Sequence, residues 1–314
     1  MSCGRNTTVA IFLGIDGGGS KTSCEVGNET SVLGKGSGAG SNVVRVGEDK
    51  AREAFETAVH QACDAANIDP SQVTRTCVGI AGGARPETTD IIRKILSNLV
   101  SGDIEIVGDM VIAIEAASGS GGGVVVIAGT GSIAYGRNAA GETARAGGWG
   151  FAISDEGSGH WIGRTAVTAT MRAFDESQPT PLLDAIIKAW GISSREQMIL
   201  VANSSPSPDF AGLFPVVARA AEGGDSTATE ILTRAGAELS RLAEIVIEKL
   251  FQGAESIPVA MSGGVFGNSA QVRQVFYNNL RSRRPGVALN ATIIDPVRGA
   301  LEMARKSARR GVGA

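Results

Sequence analysis

The chain has 314 residues, a net charge of −3, 43% hydrophobic and 19% charged residues, the profile of a globular protein long enough for about two domains. The mildly acidic balance argues against a nucleic-acid or anionic-membrane surface, and no apolar run approaches the ~18 residues of a membrane span. Glycine departs from the norm: 43 residues, about twice the usual ~7% share, and much of it follows apolar runs, which suits ligand turns better than disorder.

Met1–Thr8 has no signal-peptide core, so a cytoplasmic protein is expected. Cys3, Cys24, Cys63 and Cys77 show no C-x-x-C pairing and read as structural thiols in a reducing compartment; His60 and His160 are too scattered for a metal site. Strands are expected at 9–16, 22–27 and 30–35, the last two joined by an Asn28-centred turn. The loop GSGAGSNVVRVG at 36–47 carries Asn42. Helix 47–67, strand 73–80, helix 86–99, strand 103–107 and helix 110–118 follow. Three early strands and then strand–helix units imply a mixed sheet with helices packed on it. The glycine run SGSGGG at 118–123 marks the expected boundary between an N-terminal lobe, 1–118, and a C-terminal one, 119–295.

The second lobe opens like the first: strand 123–128, a glycine turn, then a hairpin turning at Asn138–Gly141. Helices are expected at 157–175, 180–190, 194–203, 209–222 and 225–252. A strand at 257–264 leads into a third glycine turn, MSGGVFGN, that opens a helix; a strand at 287–294 follows. The last helix starts at Pro296, a favoured first-turn residue, and runs to about Lys306. The basic runs RSRR at 281–284 and Arg305–Arg310 read as solvated faces.

The turns at 16–22 and 129–132 place glycines beside hydroxyl side chains (Ser20, Thr22; Thr130, Ser132), a combination suited to anionic oxygens. Neither is a helix-opening phosphate loop. In GIDGGGSKT, Ser20 rather than glycine precedes Lys21 and strands follow, unlike a Walker A loop. In Gly129-Thr-Gly131-Ser-Ile-Ala134 a hairpin follows where a dinucleotide fingerprint needs a helix. Both are strand–turn–strand phosphate loops, and their repetition suggests one nucleotide clamped between related lobes. Two tight hairpins with no ligand are the alternative.

Asp16 ends the first strand, where a carboxylate serves Mg²⁺ or simply starts a turn. Asp109 precedes a helix at a strand's C-terminal end; it reads as an N-cap, or as a base taking the proton of an attacking hydroxyl. The segment GGWGFAISDEGSGHWIG at 147–163 combines an aromatic surface with carboxylates, the ingredients of a sugar site, or caps a helix through Ser154 or Asp155 after a buried Trp. The turn at 261–268 either passes over a purine, with Asn268 at its edge, or is a plain strand–helix turn.

Taken in order, GIDGGGSKT, GAGSN, GDMVIAIEAA, IAGTGS, GGWG…SDEGS and SGGVFGN resemble the BadF/BadG/BcrA/BcrD-type ATPases, and within them the amino-sugar kinases, from about Phe12 to Gly299. The resemblance implies an α/β fold of two actin/hexokinase-like (ribonuclease H-like) lobes closing over ATP-Mg²⁺ and sugar, with the C-terminal helix, about 296–314, rejoining the first lobe. It implies a homodimer that phosphorylates the 6-hydroxyl of an amino sugar, N-acetylglucosamine first, glucosamine or N-acetylmuramic acid as alternatives. Gly18, Gly19, Ser20, Lys21, Thr130 and Gly131 would hold phosphates, Gly263, Gly264 and Asn268 the adenosine, and Asp16 the Mg²⁺. Asn42, Asp109, Ser132, Gly148, Trp149 and Asp155 would hold the sugar, with Asp109 as base. Two rivals share the clamp: a non-catalytic sugar sensor, and an ATPase activator with an iron–sulfur cluster on cysteines. No Cys follows Cys77 to supply the second-lobe ligand of such a cluster.

Overall fold

The computed structural model describes residues 10–81 and 85–311, with side chains through Lys306. Cys3 and Val9, the latter expected to open the first strand, lie outside the described residues. The chain divides into two compact units: one gathers the chain up to Ser120 and from Asp295 onward, the other is Gly121–Ile294.

In the first unit β1 (Ile11–Gly17), β2 (Lys21–Gly27) and β3 (Val32–Ala39) form an antiparallel meander. A short helix α1 (Val43–Val46) and α2 (Glu48–Ala66) lead to β4 (Val73–Ile80), α3 (Pro86–Ser97), β5 (Asp103–Gly108) and α4 (Asp109–Ser118). The sheet order is β3-β2-β1-β4-β5, with β4 parallel to β1 and β5 to β4. Central β1 is apolar on both faces because both are covered: Leu13 and Ile15 join the core under α2 and α3, and Phe12 joins another.

The stretch 36–47 expected to be loop begins as strand, with β3 running to Ala39, and ends in α1. The glycines of β3 recur at every second position and meet α2 at every fourth. An added Cβ at Gly34, Gly36 or Gly38 would lie 2.1, 2.1 and 2.3 Å from the carbonyl oxygens of Ala62, Ala58 and Ala54. Two strand residues span about 6.6 Å and four helical ones about 6 Å, so the spacings match and the helix lies directly on the strand.

The second unit repeats the topology. Strands β6 (Gly123–Ala128), β7 (Ser132–Arg137) and β8 (Thr143–Gly147) form an antiparallel meander. Helices α5 (Gly159–Asp175), α6 (Leu182–Ala189), α7 (Arg195–Ala202), α8 (Phe214–Glu222) and α9 (Ser226–Leu250) precede β9 (Ile257–Ser262). The unit closes with α10 (Gly264–Asn268), α11 (Ala270–Arg283) and β10 (Val287–Ile294). The order β8-β7-β6-β9-β10 reproduces that of the first sheet. Helix α8 begins later than the expected 209 because Pro215 fits its first turn; Ala211–Leu213 is a 3₁₀ turn. The RSRR run lies on an exposed face, as expected, where Arg283 pairs with buried Glu244 (3.1 Å) and Arg284 with Glu248 (2.5 Å).

The last helix, α12 (Pro296–Gly311), returns to the first unit and outruns the expected end at Lys306. Ala300, Leu301 and Ala304 pack with Phe12, Cys77 and Ile112. Buried Arg305 donates to the carbonyls of Asn28 and Ser31 (2.7 Å each), tying the helix to the β2–β3 turn. Cys24, Cys63 and Cys77 are buried free thiols; burial pushes Cys63 up to about 11, and Cys24 and Cys77 also well up, so all three are held as inert thiols.

Candidate functional site

In the first unit, β1 ends at Gly17, one residue past Asp16, and the chain reverses into β2, with the Gly18 N–H donating to the Lys21 carbonyl (3.0 Å). Gly18 and Gly19 are half-buried, and Ser20 and Lys21 are exposed. The turn is joined to the Asn42 segment: the Ser41 N–H donates to the Gly18 carbonyl (3.1 Å). The Thr22 hydroxyl donates to the Ala39 carbonyl (2.7 Å) and lies 2.8 Å from Ser41 Oγ. Asn42 caps α1, its Oδ1 accepting the Val44 N–H (3.1 Å), so the side chain is held by its oxygen. The glycine turn and Asn42 therefore form one braced piece, although Ser20 and Asn42 stand 22 positions apart in the sequence.

Three carboxylates share a field at the end of β1. Burial first, then the negative charges of Asp109 and Asp295, push Asp16 up to about 7, against the opposing pull of Lys21. Asp109 is not the N-cap of α4: extended Gly108 (φ −68°, ψ 148°) takes that position, and Asp109 is the first helical residue. Its Oδ1 accepts the Met110 N–H (2.9 Å), so the carboxylate is still fixed by the helix start. Asp295, just before α12, went unremarked in the sequence; the only signal is a carboxylate standing before the helix-opening Pro296.

No group of three or more His, Cys, Asp or Glu among the described residues is arranged to hold a metal ion. Mg²⁺ bound with a nucleotide needs less, because one or two carboxylates, phosphate oxygens and waters complete its octahedron. Asp16 fits that part: a partly buried carboxylate whose pKa is raised first by burial and then by two other carboxylates is the group a cation would recharge.

In the second unit, the turn after β6 closes with the Gly129 N–H donating to the Gly131 carbonyl (2.9 Å). The start of α5 is stitched to it: the N–H groups of Gly159 and His160 donate to the carbonyls of Gly129 (2.8 Å) and Thr130 (3.3 Å). Buried Ser132 donates its hydroxyl to the Glu156 carbonyl (2.7 Å). Asp155 lies buried in a left-handed backbone conformation (φ 70°), its carboxylate accepting the Ser132 and Gly150 N–H groups. Burial raises its pKa, and those two hydrogen bonds oppose the rise. Neither Ser154 nor Asp155 caps α5. Ser158 does, its Oγ accepting the Trp161 N–H (3.1 Å), because Asp155 turns its carboxylate toward the β7 start.

Trp149 is exposed rather than buried, and the Arg145 guanidinium covers one ring face at 4.0 Å from the centroid. Gly148 beside it has φ 70°. At the third turn, Gly263 (φ 97°) ends β9, Gly264 opens α10, and exposed Asn268 folds its amide back onto the Gly264 carbonyl (2.9 Å). A Cβ on Gly263 would lie 2.3 Å from the Ala128 carbonyl oxygen. Gly263→Ala is therefore expected to cost about 2 kcal/mol or more of stability, read as a lower denaturant midpoint; an unchanged midpoint would show that the turn tolerates a side chain.

The second unit thus brings the Thr130 turn, Ser132 and Asp155 together, with Gly263 against the end of β6. The first unit gathers Asp16, Asp109, the Gly18–Lys21 turn and Asn42. Residues 13–304 match the BadF/BadG/BcrA/BcrD ATPase family. An N-acetylmuramic acid/N-acetylglucosamine kinase of Clostridium acetobutylicum is 31% identical over 93% of this chain and 97% of its own length. An N-acetyl-D-glucosamine kinase of Dictyostelium discoideum is 30% identical over 95% of this chain and 98% of its own. A solved Chromobacterium violaceum structure with the provisional name N-acetylglucosamine kinase matches with a TM-score of 0.75 and 25% identity, covering 95% of this chain and 99% of that one. A ROK family glucokinase from Streptomyces griseus, solved with glucose and AMPPNP, shares the fold at a TM-score of 0.59 and 16% identity, covering 95% and 100%. The two five-stranded sheets are those of the actin/hexokinase-like fold that the resemblance implied.

Proposed function

Because the chain belongs to the BadF/BadG/BcrA/BcrD ATPase family, we propose that it is an ATP-dependent amino-sugar kinase acting on the 6-hydroxyl of N-acetylglucosamine. The observation that carries this reading is the near full-length match to two curated kinases, bacterial and amoebal, that both name N-acetylglucosamine.

The 6-hydroxyl oxygen attacks the γ-phosphorus, the bond from that phosphorus to the ADP oxygen breaks, and the hydroxyl proton passes to Asp109. The Met110 N–H already holds Asp109 Oδ1, so the base is oriented before substrate arrives. Phosphoryl transfer asks little covalent help of a protein; positioning and charge neutralisation supply most of the rate. Gly18, Gly19, Ser20 and Lys21 offer N–H, hydroxyl and ammonium donors to the phosphates, and Thr130 and Gly131 do so from the second turn. Asp16 would hold Mg²⁺, which when bound offsets phosphate charge. Gly263, Gly264 and Asn268 form the adenosine side.

Asn42, Gly148, Trp149 and Asp155 hold the sugar, Trp149 laying its uncovered ring face against the apolar side of the pyranose. Ser132 joins them as an acceptor, since its proton is given to Glu156. The buried thiols suit a reducing cytoplasm, where we place the protein as a homodimer.

N-acetylmuramic acid is the second substrate to consider, because the Clostridium relative is named for both sugars. A coupled ADP-release assay across N-acetylglucosamine, N-acetylmuramic acid, glucosamine and glucose tests the reading. ADP release with N-acetylglucosamine at least about tenfold above glucose is expected. No release with any hexosamine overturns the kinase, and release with another hexosamine alone overturns the sugar.

A further inference from the structure

His160 stands where two segments of the second unit meet. Its backbone N–H is bonded to the Thr130 carbonyl, so it moves with the phosphate-type turn. Its ring packs between two others: Phe151 at 4.8 Å between centroids, tilted by 36°, and Phe210 edge-on at 5.3 Å, with Trp190 5.7 Å beyond Phe210. Phe210 is buried core, whereas Phe151 belongs to the segment that carries Trp149 and Asp155. Its two ends are held, Gly147 by pairing in β8 and Asp155 by the Ser132 and Gly150 N–H groups, and between them the side chains stand out from the fold. Trp149, Phe151 and Ile153 are 60%, 56% and 78% exposed, and Gly147, Gly148 and Gly150, all at positive φ, are residues whose backbone has the widest range of conformations. The imidazole is the ring through which the exposed Phe151 reaches the aromatic core.

We infer that His160 is a positioning residue for the amino sugar: through Phe151 it fixes the 147–155 segment against α5, in step with the Thr130 turn. What that segment binds rests on the kinase reading; that His160 holds it does not. A stacked aromatic pair shifts an equilibrium by about two- to tenfold, which sets the size of the effect.

The experiment compares wild type with His160→Ala, His160→Leu and His160→Phe. In substrate-free protein, hydrogen exchange of peptides covering 147–155 should quicken about three- to tenfold in the Ala and Leu variants and return to within about twofold of wild type in the Phe variant, which restores a ring. In steady-state assays, the KM for N-acetylglucosamine should rise about five- to tenfold in Ala and Leu and recover in Phe, with kcat and the KM for ATP within about twofold throughout. A residue that only supports the fold would raise both KM values and quicken exchange across the whole unit, and that pattern overturns the inference. So does unchanged exchange at 147–155, or an unchanged sugar KM. If the Ala variant does not fold, Leu against Phe makes the same comparison. If wild type turns over no hexosamine, the kinase reading falls, and the exchange comparison still decides the role of His160.

Discussion

Asp109→Asn should lower the turnover of N-acetylglucosamine about 10³-fold while the sugar and ATP still bind. General-base catalysis is worth roughly 10²–10⁴, and an amide takes no proton from the attacking hydroxyl. The substitution is informative because asparagine is otherwise a close replacement. Its carbonyl oxygen still accepts the Met110 N–H that Asp109 Oδ1 accepts now, so the start of α4 is preserved. At the first helical position asparagine gives up only the charge that favours the helix dipole, about 0.3–1 kcal/mol, so a purely structural residue would survive the exchange with a small loss. The base role therefore predicts a fall in kcat with little change in sugar affinity, measured by single-turnover kinetics and by the change of Trp149 fluorescence on titration with sugar. Turnover within about threefold of wild type would remove Asp109 from the chemistry and leave it as a helix-start residue. A rise in KM at unchanged kcat would instead make it a sugar ligand and nothing more.

The sequence carried this site unevenly, for identifiable reasons. The strands β4, β6 and β10 have the expected bounds, and in β6 the buried run Val124–Val126 is the composition that burial on a sheet needs. The glycine turns were legible as turns because strand-like runs flank them, but not the use of their hydroxyls: Thr22 and Ser132 each donate to a backbone carbonyl. The second half of β3 was not, since glycines that let a helix lie directly on a strand look like a loop until α2 is in place. The cap at Asp109 went to its neighbour because Gly108 adopts the extended conformation that a capping residue needs. The duplication was visible as a repeated opening motif. Its full extent, the same five-strand order in both units, is a property of pairing partners and leaves no repeated residues to read. Asp295 and His160 gain their neighbours only on folding. One lies beyond a whole second unit in sequence from Asp16, and the other becomes meaningful only when Phe151 and Phe210 close around it.

Asp16→Asn should stabilise the ligand-free protein at pH 8 and abolish its activity. An unfolded aspartate titrates near 3.8, and Asp16 in the folded protein near 7, raised first by burial and then by Asp109 and Asp295. Below pH 3.8 both states are protonated and the aspartate carries no penalty. Between 3.8 and about 7 the folded state binds more protons than the unfolded one, so this group makes stability fall as pH rises. Above about 7 both states are charged and the whole cost of a partly buried carboxylate among two others is present. Asparagine stays neutral at every pH. The thermal midpoint of the variant should therefore match wild type near pH 4, pull ahead through pH 5–7, and hold a lead of about 4 °C at pH 8. Magnesium with ATP should reverse the ranking, stabilising wild type and not the variant, because the carboxylate group that destabilises the free protein is the one the cation would neutralise. A variant no more stable than wild type at pH 8 would show that Asp16 is not held against its charge. A variant that still gains stability from magnesium-ATP would place the cation elsewhere. With both results as expected, the instability at the end of β1 is a property the protein keeps for the sake of its nucleotide.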